Sequence, residues 1–170
     1  MDRLVAADSS PLIGLATAGA FDLLRQLFGT LMITRLVKDE VTARGDLPGA
    51  QELKAAMREG WIRVAAAPPE TWHFDTLDAG EASTIALAQK RPGALVLMDD
   101  ALGRTRAAEL GIEVLDVAGL LLAAKRAGLI ANTQPFVARL AGRGFTLPDA
   151  ALRQLAAADA EPQPEAPEPH

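Results

Sequence analysis

The sequence predicts an α/β protein, a three-layer α/β/α sandwich around a central parallel sheet of four to five strands. Short apolar segments alternate with longer helix-patterned ones along the 170 residues, the order that builds a parallel sheet with helices on both faces. The clearest strand, ALVLM (94–98), is continuously apolar, as a strand covered on both sides must be. The length suits one domain with a full hydrophobic core, and no interior linker divides it. In such folds ligands gather at the carboxyl ends of the strands.

The elements follow in order. RLVAAD is the first strand, and Ser10 followed by Pro11 reads as a helix start, Ser as cap and Pro at the first helical position. PLIGLATAG and AFDLLRQLFG form two short helices divided near Gly19. TLMIT is the second strand, RLVKDEVTAR a helix, and LPGAQELKAAMREG another, leading into the strand WIRVAAA. After the loop APPETWHF comes the helix DAGEASTIALAQKR, closed by Pro92-Gly93. ALVLM is followed by the helix DDALGRTRAAELG, the strand IEVLDV and the helix AGLLLAAKRAGLI. TQPFVARLAG and PDAALRQLAAAD complete the domain, expected to span residues 1–158. The stretch from 159 to 170, alternating Pro and Glu, reads as a disordered tail.

Composition excludes several classes. There is no cysteine, which removes disulfides and thiolate metal sites. His73 and His170 are the only histidines, which argues against a zinc site or a His-based triad. No apolar run approaches the roughly 20 residues of a membrane span, and MDRLVAAD lacks the pattern of a secretory signal. A soluble cytoplasmic protein with no membrane association is therefore expected. The net charge of −5 owes four acids to the tail; without it 17 bases face 18 acids. If four of those cluster around a cation, the remaining surface is mildly basic and accepts an anionic substrate.

Four acids are candidates for one cation site, each with a plainer alternative as a cap or a surface charge. Asp8 ends the first strand; a loop or cap aspartate is the plain alternative. Glu40 lies four after Leu36 and three after Val37, on the stripe completed by Val41, and so is expected on the inward face; the alternative is a solvated pair with Arg44. Glu81 precedes Ile85 by four, but Asp78-x-x-Glu81 is also a reciprocal capping arrangement. Asp99 continues ALVLM, and Asp100 beside it is read as a cap or a group adjoining the site. Four carboxylates brought together repel one another, and a divalent cation removes that conflict. With oxygen donors alone, the cation indicated is Mg²⁺ or Mn²⁺. Such a cluster suits hydrolysis of a phosphodiester.

ADSSPLI after the first strand, DEV in the helix after the second, LDAGEASTIALA, and LVLMDDALGR together resemble a PIN domain, from about Arg3 to Ala156. With LLLAAKRAGLI, the last two are similar to a bacterial and archaeal PIN-like subfamily of unknown function related to the VapC-type toxin ribonucleases. The resemblance implies a Rossmann-like sandwich whose clustered acids bind Mg²⁺ or Mn²⁺ and cut RNA. By position it assigns the acids to Asp8, Glu40, Glu81 and Asp99, the small hydroxyl residue to Ser9, and a second hydroxyl near the metal water to Ser10. It also implies a homodimer held inactive by a small antitoxin. The chain departs from the toxins in having Glu at the third acid and LMDD in place of a polar lead into the fourth.

Arg104, Arg106, Lys125 and Arg126 are candidates for holding substrate phosphate, against the alternative of ordinary solvated charges. Trp61 and Trp72 are read as packing residues. The leading function is a metal-dependent endoribonuclease, as the toxin of a toxin–antitoxin pair. The alternative is a non-catalytic PIN-fold module that binds RNA or a partner protein. A receiver-type signalling domain fits worse, because it is expected to carry its acid pair after the first strand rather than late in the chain.

Overall fold

The computed structural model describes residues 3–66 and 76–162. Trp72, His73 and His170, and most of the expected tail, lie outside the described residues. The elements run β1 (Val5–Ala7), α1 (Ser9–Thr17), α2 (Leu23–Phe28), β2 (Leu31–Ile33), α3 (Arg35–Thr42), α4 (Ala50–Glu59), β3 (Ile62–Val64), α5 (Ala79–Gln89), β4 (Leu95–Leu97), α6 (Ala101–Glu109), β5 (Glu113–Leu115), α7 (Val117–Arg126), α8 (Gln134–Gly142) and α9 (Asp149–Ala160).

The five strands form one parallel sheet in the order β3-β2-β1-β4-β5. Each strand has three residues, and every side chain of β1 and β4 is buried, as the continuously apolar runs require. Val5, Ala7, Leu95 and Leu97 face a large core built with α1, α2, α3, α4 and α7. Ala6, Val96 and Met98 face a smaller, alanine-rich core under α5 and α6. The period-2 alternation of strand side chains thus separates two apolar layers, giving the three-layer sandwich. Trp61 packs in the larger core with its ring centroid 5.7 Å from that of Phe21.

This strand order places a reversal between β1 and β4. The chain proceeds from β1 outward through β2 and β3, then returns to β4 on the other side of β1. At such a switch point the connections leave in opposite directions and open a crevice beyond the carboxyl ends. Asp8 and Asp99 are the residues that follow β1 and that lie two past β4, so both stand at this crevice. The Asp8 N–H donates to the Leu97 carbonyl at 2.9 Å, tying the two strand ends together.

Three local expectations are corrected. Helix α1 starts at Ser9, with Asp8 at the cap position but making no side-chain cap bond; Ser10 and Pro11 are in its first turn. Leu36 is 43% exposed while Val37 and Val41 are fully buried, so α3 buries a narrow i, i+4 seam and Glu40 stands on its rim. Helix α9 continues through Ala160, so Asp159 belongs to a helix rather than to the tail.

Candidate active site

The site begins with helix starts. Asp78 accepts from Glu81 N–H at 2.8 Å and the Glu81 carboxylate reaches back to Asp78 N–H at 3.3 Å, closing the capping box at the head of α5. Asp100 caps α6 by accepting from Gly103 N–H at 2.8 Å. Asp116 caps α7 by accepting from Gly119 N–H at 2.8 Å. Each cap satisfies amide donors that no helical carbonyl can reach. Because α5, α6 and α7 all start at one end of the sheet, their caps bring Asp78, Asp100 and Asp116 to the end where Asp8 and Asp99 already stand.

Asp8 and Asp99 differ from these caps. Asp99 Oδ1 accepts from Val117 N–H at 2.9 Å, but its Oδ2 is buried with no partner among the described residues. Asp8 is 3% exposed and its Oδ1 is likewise buried and unpartnered. An orphaned buried carboxylate oxygen costs free energy that a structural residue has no reason to bear. Burial pushes the Asp8 carboxyl up to about 7, with Asp78, Glu40 and Asp99 adding repulsion against the lowering effect of the Ser9 amide. Asp99 rises to about 6, also through burial and then Asp116, opposed by the Val117 amide and Arg104. Glu81 rises to about 7 through burial and the charges of Asp78, Asp100 and Asp8.

Glu40 reaches this group across the sheet. Its Oε2 accepts from Ser9 Oγ at 2.5 Å, which turns an otherwise exposed side chain toward β1. Gly80 marks the meeting place. A Cβ at Gly80 would lie 3.1 Å from Glu40 Oε2, 3.4 Å from Asp78 Oδ1 and 3.4 Å from Asp8 Oδ1. The bare Cα of Gly80 therefore leaves a cradle walled by carboxylate oxygens of three elements. Beside it opens a cleft of about 400 Å³ lined by Ser10, Glu81, Asp99, Asp100, Arg104 and Asp116, and closed on the far side by residues 144–148.

The structure thus brings Asp8, Glu40, Glu81 and Asp99 to one end of the sheet, with Ser9, Ser10 and Asp100 among them. It adds two acids that the sequence reading left out of the site, Asp78 and Asp116. Their signal was present, since each stands three residues before a glycine or glutamate at a helix start, but it reads as capping alone. Among the described residues no three Asp, Glu, Cys or His side chains stand ready in metal-holding geometry. Glu40 is turned to Ser9, Asp99 Oδ1 to Val117, and Glu81 to Asp78, so gathering them requires side-chain rotation. The donor set is nonetheless of the hard, all-oxygen kind that suits Mg²⁺ or Mn²⁺, and two of its oxygens, Asp8 Oδ1 and Asp99 Oδ2, are not committed to another partner among the described residues.

Of the basic candidates, Arg104 faces the acids and pairs with Asp116 at 3.0 Å. Arg106 pairs with Glu109 at 3.1 Å on the outer side of α6. Lys125 is corrected: it is 7% exposed, and its Nζ donates to the Ala131 carbonyl at 2.5 Å. It lies two turns beyond the start of α7, about 12 Å from the cleft by helical rise, where it closes the helix end. Arg126 instead borders a separate groove between α7 and α9.

Among the described residues no helix is long and apolar enough to cross a membrane. Residues 4–160 match the model of a protein family described as DUF3368, a PIN domain. Among solved structures the chain is similar to a PilT N-terminus domain protein from the hyperthermophilic archaeon Sulfolobus solfataricus P2. The two are 19% identical, the match covers 71% of this chain and 92% of that one, and the TM-score is 0.48. No curated protein matches the chain.

Proposed function

This chain belongs to the PIN-domain family, whose members are in general nucleases that bind divalent metals, and from that premise we propose that it is a Mg²⁺- or Mn²⁺-dependent endoribonuclease. The observation that carries the proposal is the pair of buried, unpartnered oxygens, Asp8 Oδ1 and Asp99 Oδ2, at the β1–β4 switch point. Asp8, Asp99, Glu40 and Glu81 are the residues that would hold the cation. When bound, such an ion polarises a phosphodiester and makes its water acidic enough to attack at neutral pH.

The protein's own residues prepare that chemistry. Strand ends fix Asp8 and Asp99, and the Val117 amide orients Asp99. Ser9 holds Glu40 over β1, and Ser10 presents a hydroxyl to the cleft. Arg104 is the cation placed to take a substrate phosphate, exchanging its bond with Asp116 for a charge-assisted bond to phosphate. Asp116 then keeps its capping bond to Gly119 through Oδ1.

The test joins two measurements. Calorimetry with Mn²⁺ should show binding to the wild type, and RNA should be cut only with the metal present. Asp8→Asn and Asp99→Asn should each abolish cutting while the far-UV circular dichroism is unchanged. No Mn²⁺ binding by the folded wild type sinks the nuclease reading.

The finer role we propose is the toxin of a toxin–antitoxin pair, acting as a homodimer restrained by a small antitoxin. It is supported by the likeness of its motifs to VapC-type ribonucleases. Growth arrest on expression, relieved by a small protein encoded beside it, checks this; no arrest with an active enzyme removes the toxin role alone. The alternative, a PIN fold that binds RNA or a partner protein without cutting, has one observation in its favour: the acids in the cleft are turned toward caps and hydroxyls rather than gathered. Metal-independent RNA binding with no cleavage identifies it.

A further inference from the structure

The end of the sheet opposite the carboxylates gathers three arginines. A groove of about 310 Å³ there is lined by Arg3, Arg63 and Arg91, with Thr30 and Met32 along its floor. The three arginines come from separate elements: Arg3 precedes β1, Arg63 is central in β3, and Arg91 follows α5. In the register of the sheet Ala6 pairs with Met32 and Met32 with Arg63. Helix α5 covers this face over Ala6, but Met32 is only half-buried and Arg63 is exposed, so among the described residues the face opens toward β3.

Arg3 is pinned, its Nε donating to the Gly93 carbonyl at 2.6 Å and its Nη2 bonding the Glu113 carboxylate. Arg63, Arg91 and the Thr30 hydroxyl have no hydrogen-bond or ion-pair partner among the described residues. Guanidinium groups sharing one groove repel, and no described residue neutralises the outer two. An anion with several oxygens would do so, as planar N–H forks match phosphate oxygens.

We propose that Arg3, Arg63, Arg91 and Thr30 form a phosphate-binding groove for single-stranded RNA, separate from the carboxylate cleft. The choice of RNA as polymer rests on the nuclease reading; the anion chemistry does not. From Arg3 to Asp8 is about 17 Å of extended chain, so the groove engages a strand well away from the point of cutting. It therefore favours long RNA over short, while the acidic end by itself repels backbone and relies on the metal.

The test measures binding of a labelled single-stranded RNA by fluorescence anisotropy in EDTA, where no cutting occurs and the carboxylate end contributes no metal-held contact. Arg63→Gln and Arg91→Gln are exposed substitutions, and circular dichroism verifies that they fold. Each should weaken binding several-fold and lower the slope of log affinity against log salt by roughly 0.7 between about 50 and 200 mM. Unchanged affinity and slope in the double variant overturn the groove. So does displacement of the RNA by inorganic phosphate or a mononucleotide at concentrations matching the RNA affinity, which would make it a small-anion site. Loss of cleavage in every assay with intact Arg-dependent binding sinks the nuclease reading and leaves the groove standing.

Discussion

Asp8 concentrates the chemistry of the molecule in one side chain. Its carboxyl is ordinarily half-ionised at 3.8 and in the fold at about 7, so between those values the fold retains a proton that the unfolded chain has lost. Its stabilising effect is complete below about 3.8 and disappears as pH rises through about 7. Without metal, Asp8→Asn is accordingly expected to be more stable than wild type at pH 8, by on the order of 3 kcal/mol, with the gain vanishing near pH 4. Urea unfolding in EDTA at the two pH values measures it; a wild type more stable than the variant at pH 8 refutes the burial argument. Gly80 gives a second prediction. Its backbone is ordinary helix, so Gly80→Ala suits α5 by up to about 1 kcal/mol of propensity. The added methyl fills the carboxylate cradle instead. The variant should melt no lower than wild type in EDTA and bind Mn²⁺ at least tenfold more weakly by calorimetry; equal affinity would show that the cradle is not where the cation goes. Lys125 shows the converse, a charge whose sequence context suggests substrate and whose burial assigns it to a helix end.

Elements position these residues through their starts and their glycines. Helix α6 packs so close to β4 that a Cβ on Gly103 would come within 2.5 Å of Met98 Sδ. Met98 is fully buried, so admitting the methyl requires its thioether to repack inside the core. Gly103→Ala should cost about 1–3 kcal/mol and shift the α6 start that carries Asp100 and Arg104. Thermal melting and RNA cleavage should fall together; a stable variant with full activity would show that α6 slides without disturbing the cleft. Several elements were legible in sequence because pattern and chemistry agreed. ALVLM is strand on composition alone, and DAGE is a helix start on capping alone. Glu40 was legible by position but for an incomplete reason. The stripe that placed it inward includes Leu36, which stays exposed, and only the bond from Ser9, 31 residues away, brings its carboxylate to the site.

At the scale of the whole molecule, Asp8, Glu40, Glu81 and Asp99 gather at the carboxyl ends of the sheet, while Arg3, Arg63 and Arg91 share a groove at the other end. The fold class, the strand ends and the two buried aspartates could be read locally, since each is written in one segment. The groove of Arg3, Arg63 and Arg91 could not, because three unrelated segments contribute and strand order alone decides that they meet. Asp116 was likewise illegible as part of the site until β5 took its place beside β4. The acidic end also predicts how metal and pH combine. Carboxyls near 6 and 7 must lose their protons to bind a cation, so Mn²⁺ should raise the melting temperature more at pH 8 than at pH 5. Differential scanning calorimetry at both pH values checks this, and a shift independent of pH would place the ion elsewhere.

The clasp between α9 and α8 bears on how the chain is made rather than on what it does. Asp159 accepts from Thr133 N–H at 2.8 Å, from Thr133 Oγ1 at 2.9 Å and from Gln134 N–H at 3.2 Å, so the head of α8 is capped by a residue 26 positions downstream. Burial works against the Asp159 carboxylate, and those bonds outweigh it, holding its pKa below the usual range. During synthesis at about 5–20 residues per second, α8 waits roughly one to five seconds for its cap. A ribosome that pauses after α8, or a message that ends at codon 158, leaves that helix head open at the moment the nascent domain closes.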